Sequence, residues 1–593
     1  VTQRSARGTQ DWLAGGAVTV LAAIVYLNAL ANGLVWDDPI VLDRQLLAFK
    51  SVRDVIFIPR NIPQFSPDYY RPLTTLTYLI DRQLGGTGPF MFHLSVVVFH
   101  VVTTFLVYCL GRVLFAGMGS VVAAAVGAAL FAVHPIHSES VAWGAGRSDV
   151  IACGFSVAAV MAYLHTAWSP LRRALIPSLL VFLAMLAKET AVAVLAAFPA
   201  VELLLRPAQP DAQSIGRAAR RRQRAPVPAR WRPWTAYAPF AAAFVMYAGL
   251  RGATIGSLLG PNSPALHDVP ARVVAAVGVY LGKLLLPIRQ CAYISDLPTG
   301  ALGLAVAVVL ASAVLGGCVL SYVRQQRVVT FLLAWIAVTL APSLLIVVKI
   351  PGAPVAERYL YIPSVGFCLL VGYGAARALA ASRVAAARTA VWGAVGLSLA
   401  GGAMATVQRN AVWRSNLSLW EDTAAKNASD GLPMRSLATA YQQAGDVAKA
   451  AEYFQLALQR RNDQLGLYTI YNNLGSMAMT SKQLDEAERH YQRALSFNPN
   501  SSECLYNLGL IDLTRATQAA DGAQRRHYGE RGHGFFERAA RLSPLDPDVQ
   551  VGLAQTLSAL GDRAGARLHF ERALQLGLPP GTDASVRRLL AEQ

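Results

Sequence analysis

Residues 474–499 read LGSMAMTSKQLDEAERHYQRALSFNP. Leu474-Gly475 open the stretch, Ala487, Tyr491 and Ala494 follow on one helical face, and Pro499 closes it. The same positions recur on either side. Upstream, Leu437-Ala438, Tyr441, Ala450, Phe454 and Ala457 repeat the pattern. Downstream, Leu508-Gly509 open a third copy that Phe536, Ala539 and Pro544 close, with an insertion from Gln518 to His533. Leu553-Ala554, Ala566, Phe570 and Ala573 form a fourth. Small residues at the Gly/Ala positions let two helices approach, and an aromatic ring fills the contact.

This is the tetratricopeptide (TPR) pattern, two helices per repeat of about 34 residues. Such arrays stack into an α-solenoid with a concave face for extended peptides or partner helices. A short array also serves as a rigid spacer or a dimerisation surface, because a fold does not by itself fix a function.

Upstream of the repeats the solvent changes. Apolar residues make up 54% of the 593 and charged residues 15%, against about 25% charged in a soluble domain. The polar character begins at Asn410, with a border near Gln408. The expected organisation is a membrane domain over 1–408, a linker over 409–430 and the TPR domain over 431–593. The net charge of +18 would suggest nucleic acid in a soluble chain. Here many of the basic residues sit in short loops between apolar spans, and no RNP-type or zinc-finger motif is present. None of the six cysteines forms a C-x-x-C pair and four fall inside apolar spans, which argues against a disulfide framework or a cysteine metal site.

A span needs about 20 mostly apolar residues. The stretches 12–31, 91–111, 119–133, 150–168, 174–188, 190–205, 234–250, 301–322, 329–348, 363–380 and 389–408 give about 11. The first lacks a clear small-x-small cleavage site and reads as a retained span rather than a leader. Arg4 and Arg7 precede span one, Arg172 and Arg173 follow span four, and an Arg-rich loop over 206–232 follows span six. Arg324 and Arg327 follow span eight, and Arg377, Arg383 and Arg388 belong to the loop after span ten. All lie on one side, which the positive-inside rule makes cytoplasmic. The run 271–288 breaks the count if it crosses. It reads as an interfacial or re-entrant helix, since Lys283 near its middle would be costly in hydrocarbon. Eleven crossings place the TPR domain outside the cytoplasm.

Five polar groups then share the outer face, and polar residues at membrane depth are functional candidates by default. Trp36-Asp37-Asp38 follows the first span; adjacent carboxylates with restricted hydration raise at least one pKa, as a general base requires. Next come Tyr70-Arg71-Pro72, then Asp81 and Phe92-His93-Leu94; Arg71 suits a phosphate, or it snorkels at a helix end. The third group is His134-Pro135-Ile136-His137-Ser138-Glu139, with Gly146-Arg147-Ser148-Asp149 after it. His134, His137 and Glu139 have some look of a metal cluster but not the H-E-x-x-H spacing, so orientation of a phosphate or acceptor is favoured and no metal is assigned. Lys188-Glu189 and Glu357-Arg358-Tyr359-Leu360-Tyr361, preceded by Lys349, complete the set; each could neutralise itself as an ion pair.

With these motifs in hand, the chain resembles the transmembrane-and-TPR O-mannosyltransferases. The strings that carry the likeness are WDD (36–38), YYRPLTTLTY (69–78), FHLSVVVFH (92–100), HPIHSESVAWGAGRSD (134–149), AKE (187–189), SDLPTG (295–300) and ERYLYIPSVGFCLL (357–370). RNAVWRSNLSLW (409–420) then leads into the repeats. The Arg-rich loop has no counterpart, and the repeat array is shorter than in many relatives. The resemblance implies an all-α, GT-C-type membrane bundle that takes a sugar, mannose in this family, from polyprenyl phosphate. It implies Asp37 as general base, Asp38 assisting or holding the acceptor, and Arg71, Arg147, Lys188 and Arg358 around the leaving phosphate. His134, His137, Glu139, Glu189 and Glu357 would orient or neutralise these groups. The TPR domain would present the acceptor, Ser or Thr of an exported protein.

No cofactor other than the lipid-linked sugar substrate is implied, and divalent-metal dependence stays open. Val1 and the Ala/Arg-rich composition point to a bacterial gene, with the chain in the inner membrane and the repeats in the periplasm. In a eukaryote the repeats would be lumenal in the ER, and Asn416-Leu417-Ser418 and Asn427-Ala428-Ser429 would be glycosylation sequons. Two readings of other classes compete: a non-catalytic membrane-anchored TPR scaffold, for which Asp37 and Asp38 are replaceable, and a carrier of lipid-linked sugars, for which charges would line a path through the bundle.

Overall fold

The computed structural model describes residues 2–591 apart from 47–48, 50, 59–69, 117–119, 166, 206–233, 256–268, 351 and 428. The Arg-rich loop 206–232 therefore lies outside the described residues. The chain divides into two compact units, Val1–Lys426 and Asn427–Gln593. Among the described residues both are helical, with only the isolated bridges Ile294–Val355 and Asp430–Arg461 of β type.

In the first unit the sequence starts helices where the backbone needs them. Proline occupies the first turn of the helices Pro72–Gly85, Pro89–Leu114, Pro170–Ala187 and Pro363–Ala381, where its missing N–H costs nothing. Eight helices among the described residues are long and apolar enough to cross a membrane. A ninth candidate is bent by 49° between Val121–Val133 and Pro135–Val141, with His134 at the break.

This differs from the expected eleven. The stretch 190–205 is not one helix but a 3-10 segment, Glu189–Ala196, a short α segment, Ala197–Ala200, and a π segment, Val201–Leu205. Pro199 explains the interruption: it lacks an N–H and its ring crowds the preceding turn. The stretch 234–250 is a 3-10 segment, Trp234–Tyr237, followed by the helix Ala238–Ile255, which is not among the eight. The run around Lys283 is the helix Val269–Leu285, also outside the eight. Its ammonium is not an isolated charge, because it meets Glu357 at 2.7 Å.

The helices at the centre of this unit approach at backbone distance. A Cβ added to Gly372, in Pro363–Ala381, would lie 2.3 Å from the Ala123 carbonyl, and one added to Gly127 would lie 3.0 Å from the Cys368 carbonyl. Lipid offers little hydrophobic drive between helices, so small residues that permit close contact hold such pairs. The packing has a direct consequence for the site. Glu139, just beyond Ser120–Val133, and Arg358, just before Pro363–Ala381, are drawn to the same end and form an ion pair. By contrast, Ala301–Val323 and Ala385–Val412 bury few of their residues, as expected of helices facing lipid.

The linker expected over 409–430 is mostly structured in the first unit. Residues 409–412 end the helix Ala385–Val412, and Asn416–Lys426 forms a further helix. The second unit begins only at Asn427.

The second unit runs as paired helices from Gly431–Gln443 and Val447–Leu458 to Pro547–Leu560 and Arg563–Leu576, closed by Pro580–Ala591. Asp430, Asp446, Asp463, Ser501, Asp521, Asp546 and Asp562 cap helix starts through their side chains, each satisfying N–H groups the helix cannot. The repeat glycines face the repeat aromatics as expected: a Cβ on Gly475 would lie 2.8 Å from the Tyr491 ring, and one on Gly509 2.8 Å from the Phe536 ring. The insertion in the third repeat lengthens its second helix, Gly522–Leu542, to 21 residues.

Candidate active site

The acidic turn follows the first span. Trp36 takes φ 56°, the left-handed region that a bulky side chain rarely occupies. The two carboxylates after it diverge. Asp38 is fully buried; its Oδ1 accepts from the Ala145 N–H at 2.7 Å and its Oδ2 from the Val35 N–H at 3.1 Å. Burial pushes its carboxyl up to about 7 against those two donors, with the Asp37 charge adding to the rise. Asp38 therefore ties its own turn to the Gly144–Gly146 turn. The expectation that it holds an acceptor does not fit a side chain with both oxygens engaged inside the protein. Asp37 has an exposed side chain, yet its pKa is raised by the protein mass around it while Arg358 pulls it down. Asp37 thus lies at an exposed position close enough to Arg358 to feel its charge.

Arg358 is the hub of this surface. Its guanidinium pairs with Glu139, and its backbone N–H donates to the other Glu139 oxygen at 3.0 Å. The guanidinium also lies 5.5 Å from the Trp143 ring and 5.0 Å from the Tyr359 ring. The Tyr359 ring in turn carries the Lys188 ammonium at 4.8 Å, and Lys188 is paired with buried Asp149. Next along the chain, Glu189 receives a bidentate contact from Arg71, with Nε to Oε2 at 3.0 Å and Nη2 to Oε1 at 2.7 Å. Burial would lift the Glu189 carboxyl, but the guanidinium and Lys188 hold it down at about 2. The structure thus brings together Asp37, Glu139, Arg358, Lys188, Glu189 and Arg71.

Other expected site residues sit elsewhere. Arg147 is fully buried. It donates to Asp81 at 2.5 Å, to the Phe92 carbonyl at 2.7 Å and to Thr77 at 3.2 Å, and lies 4.3 Å from the Tyr78 ring. That makes it a strut joining Pro72–Gly85, Pro89–Leu114 and Arg147–Leu164, and not a group presented to a phosphate. Glu357 is buried, accepting from Lys283 and from the Cys291 N–H at 3.0 Å. His134 meets the Leu284 carbonyl at 3.2 Å. His137 meets the Phe131 carbonyl at 2.9 Å and the Ser364 hydroxyl at 2.8 Å. These histidines orient segments of the bundle. Among the described residues no three His, Cys, Asp or Glu side chains are grouped to hold a metal ion.

Sequence reasoning missed several participants. Asp149 and Tyr359 stood inside quoted strings without a role, and Trp143 was not singled out. His100, buried in Pro89–Leu114, bonds Tyr361 at 2.6 Å; a histidine within an apolar span was itself the signal. Of the two sequon asparagines, Asn416 is engaged through its side-chain oxygen by the Trp36 N–H at 2.8 Å, and Asn427 is buried.

Comparison with known proteins bears on this geometry. A tetratricopeptide-repeat family model matches residues 429–500. The chain is 25% identical over 522 residues to protein O-mannosyl-transferase TMTC3 of Mus musculus, covering 81% of this chain and 55% of the relative. It is 26% identical over 558 residues to protein O-mannosyl-transferase Tmtc3 of Drosophila melanogaster, covering 82% and 58%. Over most of its length the chain is thus similar to proteins named as protein O-mannosyl-transferases. A shorter stretch of 191 residues is 35% identical to the O-mannosyl-transferase Tmtc1 of Drosophila melanogaster, 30% of this chain and 21% of that one. The chain spans just over half the length of the O-mannosyl-transferases it matches along most of its own.

Proposed function

We propose that the membrane unit transfers a sugar, mannose by its resemblance, from a polyprenyl-phosphate carrier to a Ser or Thr hydroxyl of an exported protein. The observation that carries the reading is one accessible carboxylate, Asp37, set beside a row of cations that runs from Arg358 past Tyr359 to Lys188 and Arg71. A base and an anion-stabilising surface side by side are what glycosyl transfer from a phosphate donor needs. Asp37 takes the acceptor proton, the hydroxyl oxygen bonds the anomeric carbon, and the bond from that carbon to the phosphate oxygen breaks with inversion. The electron pair leaves on the lipid phosphate, whose charge Arg358 and Arg71 stabilise. Glu139 and Glu189 keep those guanidinium groups oriented. Asp37's raised pKa suits the role, because it makes the carboxylate a better proton acceptor. The repeats present the acceptor on the extracytoplasmic side, the periplasm if the source is bacterial.

The test is transfer of labelled mannose from polyprenyl phosphate mannose to co-expressed exported proteins in purified membranes. Asp37→Asn at normal membrane abundance is expected to lose about 10²–10⁴-fold in rate, the usual share of a general base. Transfer that survives Asp37→Asn overturns the base assignment. Absence of transfer by the wild type, with mannose and with other sugars on the same carrier, favours the scaffold reading.

A further inference from the structure

The segment RNAVWRSNLSLW, 409–420, enters the sequence only as a lead into the repeats. In the structure it grips the acidic turn. The Gly33 N–H donates to the Arg414 carbonyl at 3.0 Å, and a Cβ on Gly33 would lie 3.3 Å from that oxygen. The Asn32 amide donates to the Asn410 carbonyl at 3.1 Å. Asn410 returns the contact, its amide reaching the Val25 carbonyl at 3.1 Å and Asn28 at 3.0 Å. The Trp36 N–H donates to the Asn416 side-chain oxygen at 2.8 Å. Four indoles close the arrangement. Trp36 stacks on Trp143 at 5.2 Å and meets Trp420 edge-on at 5.3 Å, and Trp143 stacks on Trp413 at 5.7 Å.

These contacts bear on one residue that would not keep its conformation unaided. A tryptophan at φ 56° persists only where its surroundings over-determine it. Trp36 is held at its amide by Asn416 and on its ring by Trp143 and Trp420. Asp37 comes next in the chain, so the backbone direction at Trp36 sets where its carboxylate points.

We propose that residues 409–420 are a clasp, and that Asn416 is a positioning residue which keeps Trp36 left-handed and so aims Asp37 toward Arg358. The proposal rests, for its catalytic consequence, on Asp37 acting as the base; the clasp itself does not. Asn416 does its work through an acceptor oxygen. An aspartate keeps that oxygen and an alanine removes it. Both substitutions also delete the Asn-x-Ser sequon, so glycosylation does not distinguish them.

The experiment compares wild type, Asn416→Ala and Asn416→Asp in the full chain by two measurements. Hydrogen–deuterium exchange of the peptide covering 33–38 reads the clasp without requiring activity. Mannose transfer with separate kcat and KM reads its consequence. The expectation is faster exchange in Asn416→Ala, with kcat down about 100-fold, the scale of a misplaced reacting group, and acceptor KM unchanged. Asn416→Asp restores both. Unchanged exchange in Asn416→Ala overturns the clasp. Faster exchange with full kcat overturns the positioning role, as does equal loss in Asn416→Asp. If the wild type transfers no sugar, the proposed reaction fails while the exchange result still decides the clasp. Should Asn416→Ala fail to accumulate, Asn416→Ser, whose hydroxyl stops short of the Trp36 amide, makes the same comparison.

Discussion

The two units use ion pairs differently. In the membrane unit several partners are distant in sequence, and two pairs, Arg147 with Asp81 and Lys188 with Asp149, are shielded from water. Arg71 and Glu189 are 118 residues apart, Arg358 and Glu139 are 219 apart, and Arg147 with Asp81 is 0% and 5% exposed. In the repeat unit many pairs lie one helical turn apart on open surface, as with Arg567 and Glu571 at 67% and 48% exposed. Burial decides what such a pair does. A desolvated pair fixes the relative position of two elements, and breaking it strands a charge. An exposed pair is screened and offset by side-chain entropy. Buried pairs therefore fix much of the first unit's geometry, whereas the repeats rely chiefly on apolar contacts, although Arg531 there also reaches the buried Asp512.

The sharpest way to break this contrast is at Arg147. Arg147→Met leaves Asp81 buried with Ser95 as its side-chain donor among the described residues, at 2.7 Å, and should destabilise the membrane unit by about 3–5 kcal/mol. The double substitution Arg147→Met with Asp81→Leu should recover most of that loss, because no charge is then stranded. Thermal unfolding in detergent measures both. A double variant as unstable as the single one would mean that Arg147 works through its contacts to Phe92 and Thr77 instead.

Asp38 sharpens the comparison through pH. Its folded-state pKa of about 7 lies above the ordinary carboxylate value of 3.8. Between those values the native chain keeps a proton that the unfolded chain has released. Its contribution to stability is therefore complete below about pH 4 and is lost as the pH rises through about 7. Melting temperature against pH should show this decline, and Asp38→Asn should flatten it. An unchanged slope in Asp38→Asn would assign the proton to another group.

How much of this was legible in sequence follows the same division. The repeats could be read because their determinants recur: Gly475 with Tyr491 and Gly509 with Phe536 are one contact written twice. Many of the membrane helices could be read because apolar length suffices, but not the run broken at Pro199, the stretch 234–250, or the bend at His134. The charges of the site were visible as residue types at helix ends, but their pairing was not. Nothing local distinguishes Arg358, which keeps part of its side chain exposed, from Arg147, which is fully buried. That difference is made by Gly127 and Gly372 letting two helices approach, which brings Glu139 to Arg358. Lys283 looked costly for the same reason: its partner, Glu357, is 74 residues away.

In the repeat unit the apolar contacts should dominate. A Cβ on Gly552 would lie 2.3 Å from the buried Phe536 ring. Gly552→Ala should therefore cost about 1–3 kcal/mol by overpacking. Gly534, inside Gly522–Leu542 with nothing within 4 Å of its added Cβ, should behave oppositely. Gly534→Ala removes backbone freedom from the unfolded chain and should stabilise by about 0.5–1 kcal/mol. Chemical denaturation followed by far-UV circular dichroism compares the two signs. Equal effects at both positions would mean that the Phe536 ring yields freely, and that the repeat contact is not the tight one its geometry indicates.

The smallest effect belongs to the exposed pair. Arg567 and Glu571 approach to 3.0 Å, a good distance on paper, but water reaches both. Their order along the helix, cation before anion, is also the weaker of the two arrangements. Arg567→Ala and Glu571→Ala, singly and together, should give a coupling energy of at most about 0.5 kcal/mol, falling further at high salt as screening shortens the range. Burial is the largest difference from Arg147 and Asp81, which meet at 2.5 Å. A coupling above about 1 kcal/mol at physiological salt, outside the usual range for exposed pairs, would mean that contact distance and not burial sets the worth of a pair in this chain.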